Sequence, residues 1–154
     1  MSPQSGPASG SSLTDAVIAK GFTPSMFGLS TSADLTTMVD GVVASKQLKV
    51  QAEVGAAVFN STNPMVAAAV NDAVVWLSTW ELWGRRGAKV LGSAVYSPEM
   101  RVRPASSEKE NAADALAAYQ DAELLALTLF GATPGFSPGA EISTHFMTDA
   151  EPLP

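Results

Sequence analysis

The sequence contains no cysteine and only one histidine, His145. The lack of cysteine excludes a disulfide scaffold, a cysteine-ligated metal site and a thiol nucleophile. Because the single histidine lies near the C-terminus, the predicted core has no base with which to assemble a Ser–His–Asp triad. We therefore expect no enzymatic activity and no cofactor, and we interpret His145 as solvated or packed against a partner.

Charged residues are also scarce. They make up 16% of the 154 residues, whereas hydrophobic residues make up 46%. This is well below the roughly 25% charged share of an average soluble domain, and it indicates that some apolar surface is buried against a partner. No apolar run reaches the roughly 18 residues of a membrane span, and the first residues lack the pattern of a signal peptide. The net charge of −6 disfavours general affinity for nucleic-acid phosphates.

The composition divides the chain into three parts. Residues 1–12 are mostly Ser, Gly and Pro and predict a flexible N-terminal arm, whereas residues 132–154 are punctuated by Pro and Gly and predict an extended C-terminal arm. Between them, residues 13–131 are expected to form one helical core domain. The predicted fold is all-α.

Apolar residues in the core recur with the period of a helix. This spacing predicts a bundle of three long helices, preceded by a short one. The predicted helices are 13–21, 33–59, 64–84 and 107–130. Thr31 or Ser32 can cap the first long helix, which we expect to be kinked or interrupted because it contains two glycines, and Asn63 with Pro64 opens the second.

The period changes between the second and third long helices. Gly84 and Gly87 are expected to end the second helix, and a capping box formed by Ser107 and Glu110 is expected to open the third. The intervening residues 88–105 contain turn-forming residues and an alternating Arg-Val-Arg piece. They predict a short β-hairpin.

Basic and acidic residues are unevenly distributed. Five of the nine basic residues lie within 85–103, and eight of the fifteen acidic residues lie within 104–154. The basic segment is interpreted in three ways: contact with the acidic part of a neighbouring copy, contact with nucleic-acid phosphates, or helix capping and solvated charge. The residues predicted for contacts between subunits are Arg85, Arg86, Lys89, Arg101, Arg103, Glu108, Glu110, Leu124 and Leu127. The last two lie off the apolar stripe of the third helix.

Tryptophans and paired acidic residues can be explained either by packing and solvent exposure or by ligand and metal binding. Trp76, Trp80 and Trp83 are spaced along one helix flank, which favours a core or subunit interface over a ligand platform. Glu110 and Asp114 have a spacing that metal ligands use, but Lys109 beside them favours a solvated helix face. We therefore expect no metal site. The predicted docking residues of the C-terminal arm are Phe136, Ile142, His145, Phe146 and Met147, and the piece from Ile142 to Met147 is suited to adding a strand to a neighbour.

The order of these elements resembles a known family. An Ala-rich helix, VAAAVNDAVVWLSTWELWGRRG, ends in tryptophans; the turn-rich stretch GAKVLGSAVYSPEMRVRP follows; and a last helix, ENAADALAAYQDAELLALTLFG, has Tyr119 near its middle and closes at Gly131. This layout is similar to that of the head–tail connector (adaptor) proteins of tailed bacteriophages. The similarity covers about residues 31–131. The helices here are richer in Ala, Val and Trp, and poorer in charge, than is typical of the family.

The resemblance implies a non-enzymatic structural protein of the virion neck, made in the host cytoplasm. Connectors of this family form rings of about a dozen copies beneath the portal protein and contact tail or neck proteins through terminal extensions. Genome DNA passes through such a ring without specific binding, and no membrane is involved. The alternative from the residues alone is a small non-viral helical module that docks one protein partner.

Overall fold

The protein is all-α, as predicted. The computed structural model describes residues 9–93 and 98–131, without the side chains of 90–107, and all regular structure in this part of the chain is helical. The elements are α1 (Gly10–Ile18), a 3-10 turn (Pro24–Phe27), α2 (Ser32–Val54), the one-turn α3 (Ala56–Phe59), α4 (Pro64–Ser93) and α5 (Pro98–Gly131).

The first helix begins earlier than predicted. The Ser9 side chain caps α1 by accepting a hydrogen bond from the Ser12 amide at 3.3 Å, so residues 10–12, which we expected to belong to the flexible arm, form the first turn of a helix. The helix is held to α2 by the buried Thr14, whose hydroxyl donates to the Asp40 carboxylate at 2.5 Å.

The predicted interruption of the first long helix is confirmed. Thr31 caps α2, since its hydroxyl accepts from the Asp34 amide at 3.0 Å. The helix ends at Val54 because Gly55 has φ +93° and ψ 154°, a backbone conformation that is costly for any residue with a Cβ. The chain then resumes as α3.

The second long helix starts where predicted but ends later. The Asn63 side chain accepts from the Met65 amide at 2.9 Å, and Pro64 occupies the first helical position. However, α4 continues through Gly84 and Gly87 to Ser93. A Cβ on Gly87 would lie 3.5 Å from the Cβ of Glu108, so this glycine lies where α4 and α5 approach closely rather than at a helix end.

The predicted β-hairpin is wrong. Residues 88–93 belong to α4, and α5 begins at Pro98 rather than at the predicted capping box. Proline at the first helical position is well suited to open a helix, and in this part of the chain that preference outweighs the alternating Arg-Val-Arg pattern. The third predicted helix is therefore nine residues longer at its start, and it ends at Gly131, as expected.

The long helices enclose a valine-rich core. α4 makes its most extensive contacts with α5, and α1 and α2 also pack against α4. The largest fully buried apolar side chains are Leu77, Leu82, Val17, Val39, Val43, Val50, Val66, Val70 and Val74. Two buried hydroxyls of α4, Ser78 and Thr79, donate to carbonyl oxygens one turn earlier at 2.8 Å each, which satisfies them inside the core. Within the described residues, no helix is long and apolar enough to span a membrane.

Candidate interaction surfaces

A buried lysine joins α2 to α4. Lys46 lies on the apolar stripe of α2, and its side chain is only 11% exposed; the ammonium group lies 2.6 Å from a Glu81 carboxylate oxygen. The other oxygen of Glu81 accepts from Arg85 at 2.5 Å. Burial raises the pKa of the Glu81 carboxyl, but the hydrogen bonds from Lys46 and Arg85 outweigh this effect, so its pKa lies below the ordinary value.

Arg86 on α4 contacts both the 3-10 turn and α5. One guanidinium nitrogen donates to the Met26 carbonyl of the 3-10 turn at 3.0 Å, and Nε lies 3.7 Å from Oε2 of Glu108 on α5. That separation is too long for a hydrogen bond, and this buried oxygen has no hydrogen-bond donor among the described residues. Burial raises the pKa of the Glu108 carboxyl, and the Arg86 charge offsets part of the rise.

A tyrosine and two glutamates join α2 to α5. The buried Tyr119 hydroxyl contacts carboxylate oxygens of both Glu53 and Glu123, the latter at 2.7 Å. A hydroxyl has one proton to donate, so the second carboxylate needs a proton of its own. Burial, followed by the hydrogen bond with Glu53, raises the pKa of Glu123, whereas the hydrogen bonds from Glu123, Tyr119 and Lys49 lower the pKa of Glu53 to about 2. Of the two carboxyls, Glu123 is therefore the one that is protonated more readily.

The tryptophans divide between the core and its edge. Trp83 packs against Phe22 with ring centroids 4.8 Å apart and ring planes tilted by 48°, and the Lys20 ammonium lies 4.0 Å from the ring centroid of Trp76. Both indoles pack against the core. Trp80 is 36% exposed and lines a shallow groove with Lys46, so the stripe predicted from the sequence is mostly core.

Among the described residues, three exposed leucines lie close together in sequence on α5: Leu124, Leu125 and Leu127. Leu124 and Leu127 are 64% and 42% exposed, on the side of the helix away from the core residues Ala122 and Ala126. They extend a row of exposed positions with alternating spacings of four and three residues, the period of a coiled-coil seam. We call this row the α5 outer seam: Ala113, Ala117, Gln120, Leu124 and Leu127.

One flank of the α5 outer seam is acidic. Glu110, Asp114 and Asp121 are exposed, and their spacings of four and seven residues place them along the same side of α5. Among the described residues none of the three has an ion-pair partner, and no group of three acidic or histidine side chains in that part of the chain is arranged to hold a metal ion.

A groove lies between the facing parts of α4 and α5. Its volume is about 540 Å³. The described residues that line it are Trp83, Gly84, Gly87, Ala88, Glu108, Lys109 and Ala112. Apart from Glu108 and Lys109, these residues are glycine, alanine or tryptophan, so most of the lining is apolar.

The structure places the predicted contact residues in different settings. Arg85 and Arg86 are paired within the chain, and Glu108 faces Arg86, whereas Lys89, Glu110, Leu124 and Leu127 are exposed. The backbone of Arg101 and Arg103 is part of α5, but their side chains lie outside the described residues. The predicted docking residues Phe136, Ile142, His145, Phe146 and Met147 also lie outside them.

Two features were missed from the sequence. The Lys46–Glu81 pair has a visible pattern, since a lysine interrupts an otherwise apolar stripe between Val43 and Val50, but the pattern does not identify its partner. The Tyr119 cluster has none, because it joins residues more than sixty positions apart. Comparisons with protein-family models, curated proteins and solved structures found no match to this chain.

Proposed function

We propose that this protein is a structural component that assembles into a ring, and that the ring is a head–tail connector between the portal and the tail or neck of a tailed phage. The observation that carries the proposal is the α5 outer seam, which presents Leu124 and Leu127 to solvent at coiled-coil spacing. Burying a leucine contributes about 1.5–3 kcal/mol, so a partner that covers both side chains gains a substantial part of its binding free energy there.

The acidic flank favours a ring over a two-fold dimer. In an antiparallel pair of identical α5 helices, the row of Glu110, Asp114 and Asp121 would face the same row of the other copy, and like charges across an interface are unfavourable. A head-to-tail contact instead places this row against a different surface of the next copy, and such contacts close into rings. The segment 85–103, which holds five of the nine basic residues, is the complementary surface.

The connector assignment rests on the resemblance of the helix order and on charge. A net charge of −6 suits the wall of a DNA conduit, because an acidic lumen repels phosphates and lets the genome pass. Under this proposal the chain has no catalytic role, and its terminal arms contact the neighbouring rings.

The test is assembly of the full chain, measured by size-exclusion chromatography with light scattering and by negative-stain imaging. We expect rings for the wild type and loss of rings for the double variant Leu124→Gln with Leu127→Gln. The matched control is Leu48→Gln on α2, which removes a leucine that is 70% exposed but outside the seam, and it should still assemble. Rings that persist in the double variant would refute the role of the seam.

Charge reversal tests the direction of the contact. Replacing Arg101 and Arg103 by Glu should prevent ring formation, and Glu110→Lys should partly restore it in that background. A wild-type chain that stays monomeric, both alone and with a co-expressed portal protein, would contradict the connector assignment. It would favour the alternative, a non-viral helical module that docks one protein partner through the same seam.

A further inference from the structure

We propose that an exposed stripe on α4 is the surface that receives the α5 outer seam of a neighbouring copy. The stripe consists of Trp80, Gly84 and Ala88, and we call it the α4 stripe. The proposal rests on the role of the seam in the proposed assembly, because it names the acceptor of that same seam. It follows from the exposure of the stripe, the open space above it and the charge at its edge.

The α4 stripe is the floor of a groove that opens on both sides of it. Its three residues are four positions apart, so they lie one turn after another on the same side of α4, and all three are exposed. Gly84 and Ala88 line the groove shared with α5, whose wall includes Ala112. Together with Trp80 they also line the shallow groove beside Lys46 of α2. The two grooves therefore meet over Gly84 and Ala88, between α2 and α5.

The α4 stripe has room for a row of leucines. A Cβ added at Gly84 would have nothing within 4 Å, so the space above the middle of the stripe is open. Helices pack with the side-chain ridge of one in a groove of the other, at interaxial distances of about 8–10 Å that depend on the size of the side chains at the contact. Leu124 and Leu127 form such a ridge, and they are 64% and 42% exposed. Glycine and alanine on the floor let this ridge approach α4 closely.

The contact must be between copies, because the seam and the stripe of one chain cannot meet. Ala112, which lines the groove, and Leu124 both lie on α5, and the twelve residues of helix between these positions separate them by about 18 Å. Since one helix fixes both positions, the leucines of a chain cannot enter the groove of that chain. Each copy therefore presents the stripe and the seam at different places, which suits a head-to-tail contact.

Charge favours the α5 outer seam over an uncharged apolar helix. Lys109 lines the groove on its α5 side; it is exposed and has no ion-pair partner among the described residues. Asp121, on the acidic flank of the seam, precedes Leu124 by three residues, so the two side chains are neighbours on the surface of α5. With Leu124 over the α4 stripe and the acidic flank turned toward the neighbour's α5, Asp121 faces Lys109. This pairing fixes the orientation of the seam in the groove.

The first experiment fills the groove of the full-length chain. Gly84→Leu places a side chain where the neighbour's leucine would lie. Gly41→Leu is the matched control, because Gly41 is also an exposed helical glycine with nothing within 4 Å of an added Cβ. Leucine favours a helix more than glycine does, so both variants should fold, which circular dichroism verifies. Light scattering over a range of concentrations measures the concentration at which half of the chain is assembled.

We expect Gly84→Leu to raise this concentration at least about tenfold, because a well-packed contact does not accept an additional side chain, whereas Gly41→Leu should leave it unchanged. Lys109→Glu and Asp121→Lys should each raise it about threefold to fivefold, and the two combined should restore the wild-type value. Normal rings in Gly84→Leu would overturn the α4 stripe as the acceptor while leaving the ring intact. No recovery in the combined variant would overturn the pairing of Lys109 with Asp121.

The second experiment uses the absence of cysteine in the chain and does not require ring closure. The variants Ala88→Cys and Gln120→Cys, one of them with a mass tag, are mixed and treated with a short bismaleimide, so that a mixed cross-link forms only between copies. In the control, Ala88→Cys is replaced by Ala44→Cys, which is exposed and lies on the side of α2 away from Lys46, because two residues turn a helix by about 200°.

We expect the mixed cross-link with Ala88→Cys to form at least about tenfold faster than the one with Ala44→Cys. Equal rates would overturn the contact between the α4 stripe and the α5 outer seam. Faster cross-linking without rings would support this contact and contradict only the closure into a ring. A wild-type chain without rings, together with equal cross-linking rates, would overturn both the contact and the ring.

Discussion

Replacing Glu81 should destabilise the protein much more than replacing Lys46, its partner in a buried ion pair. The two side chains are 11% and 24% exposed, and their charged atoms are 2.6 Å apart. Glu81→Gln keeps the shape of the side chain but leaves the Lys46 ammonium buried without a counter-charge. Lys46→Met removes the buried charge and keeps the apolar stem, and Glu81 retains Arg85 as its partner.

The magnitudes follow from burial. Removing one partner of a fully buried pair costs about 3–5 kcal/mol, and the residual exposure of these two side chains reduces the expected cost of Glu81→Gln to about 2–3 kcal/mol. Lys46→Met should cost less than about 1 kcal/mol, because replacing a buried ion by an apolar group of similar volume is often close to neutral. Urea unfolding followed by circular dichroism measures both values. Equal costs for the two substitutions would refute the reasoning.

The pH dependence of folding stability is a second test of the Lys46–Glu81 pair. The pKa of Glu81 is lower in the folded chain than its ordinary value, so its contribution is present above the ordinary glutamate pKa and is lost as the pH falls through the folded value. Wild-type stability should therefore fall in acid, and Glu81→Gln should flatten this part of the profile. Arg85→Gln is the control, since it removes only an exposed partner and should cost about 0–1 kcal/mol.

Two further predictions concern the backbone and the tyrosine cluster. Gly55→Ala should destabilise the fold by about 1–3 kcal/mol, because φ +93° strains any residue with a Cβ even though nothing lies near the new methyl group. Gly41→Ala is the control, because Gly41 lies at an open position inside α2, and this substitution should stabilise the fold by about 0.5–1 kcal/mol. The pKa of Glu123 is raised in the folded chain, so the stability that its proton contributes is full in acid and is lost as the pH rises through the folded value; unfolding measured across this range should show the loss, and Glu123→Gln should abolish it.

Local capping chemistry was predictable where a single residue decides it. Thr31 and Asn63 cap their helices through their own side chains, and Gly55 interrupts a helix through its own φ. These effects act within one turn, so they are visible in the sequence without knowledge of the partner element.

The end of α4 and the start of α5 could not be predicted from single residues in this way. Gly87 is compatible with a helix end and with a close helix crossing, and only the position of Glu108 on α5 distinguishes the two. The candidate interaction surfaces were also only partly predictable from the sequence. The period of α5 identifies Leu124 and Leu127 as lying off the core, but the pairing of Arg86 with Glu108 depends on how two helices align after the chain turns back.

The pairing of Arg86 with Glu108 limits which basic residues are available to bind a neighbouring copy of the chain. If Arg86 were to leave Glu108 for a neighbouring copy, a buried carboxylate oxygen without a hydrogen-bond donor would also lose its nearest cation, and the 3-10 turn would lose its bond to α4. Arg85 is similarly engaged with Glu81. An intermolecular contact through the basic segment must therefore use Lys89 or the arginines further along the chain, because binding through Arg86 would destabilise the subunit that it joins. Charge reversal at Arg86 should accordingly reduce stability before it reports on assembly, whereas reversal at the exposed Lys89, which lies beside Gly28 and has no ion pair among the described residues, should cost less stability than reversal at Arg86.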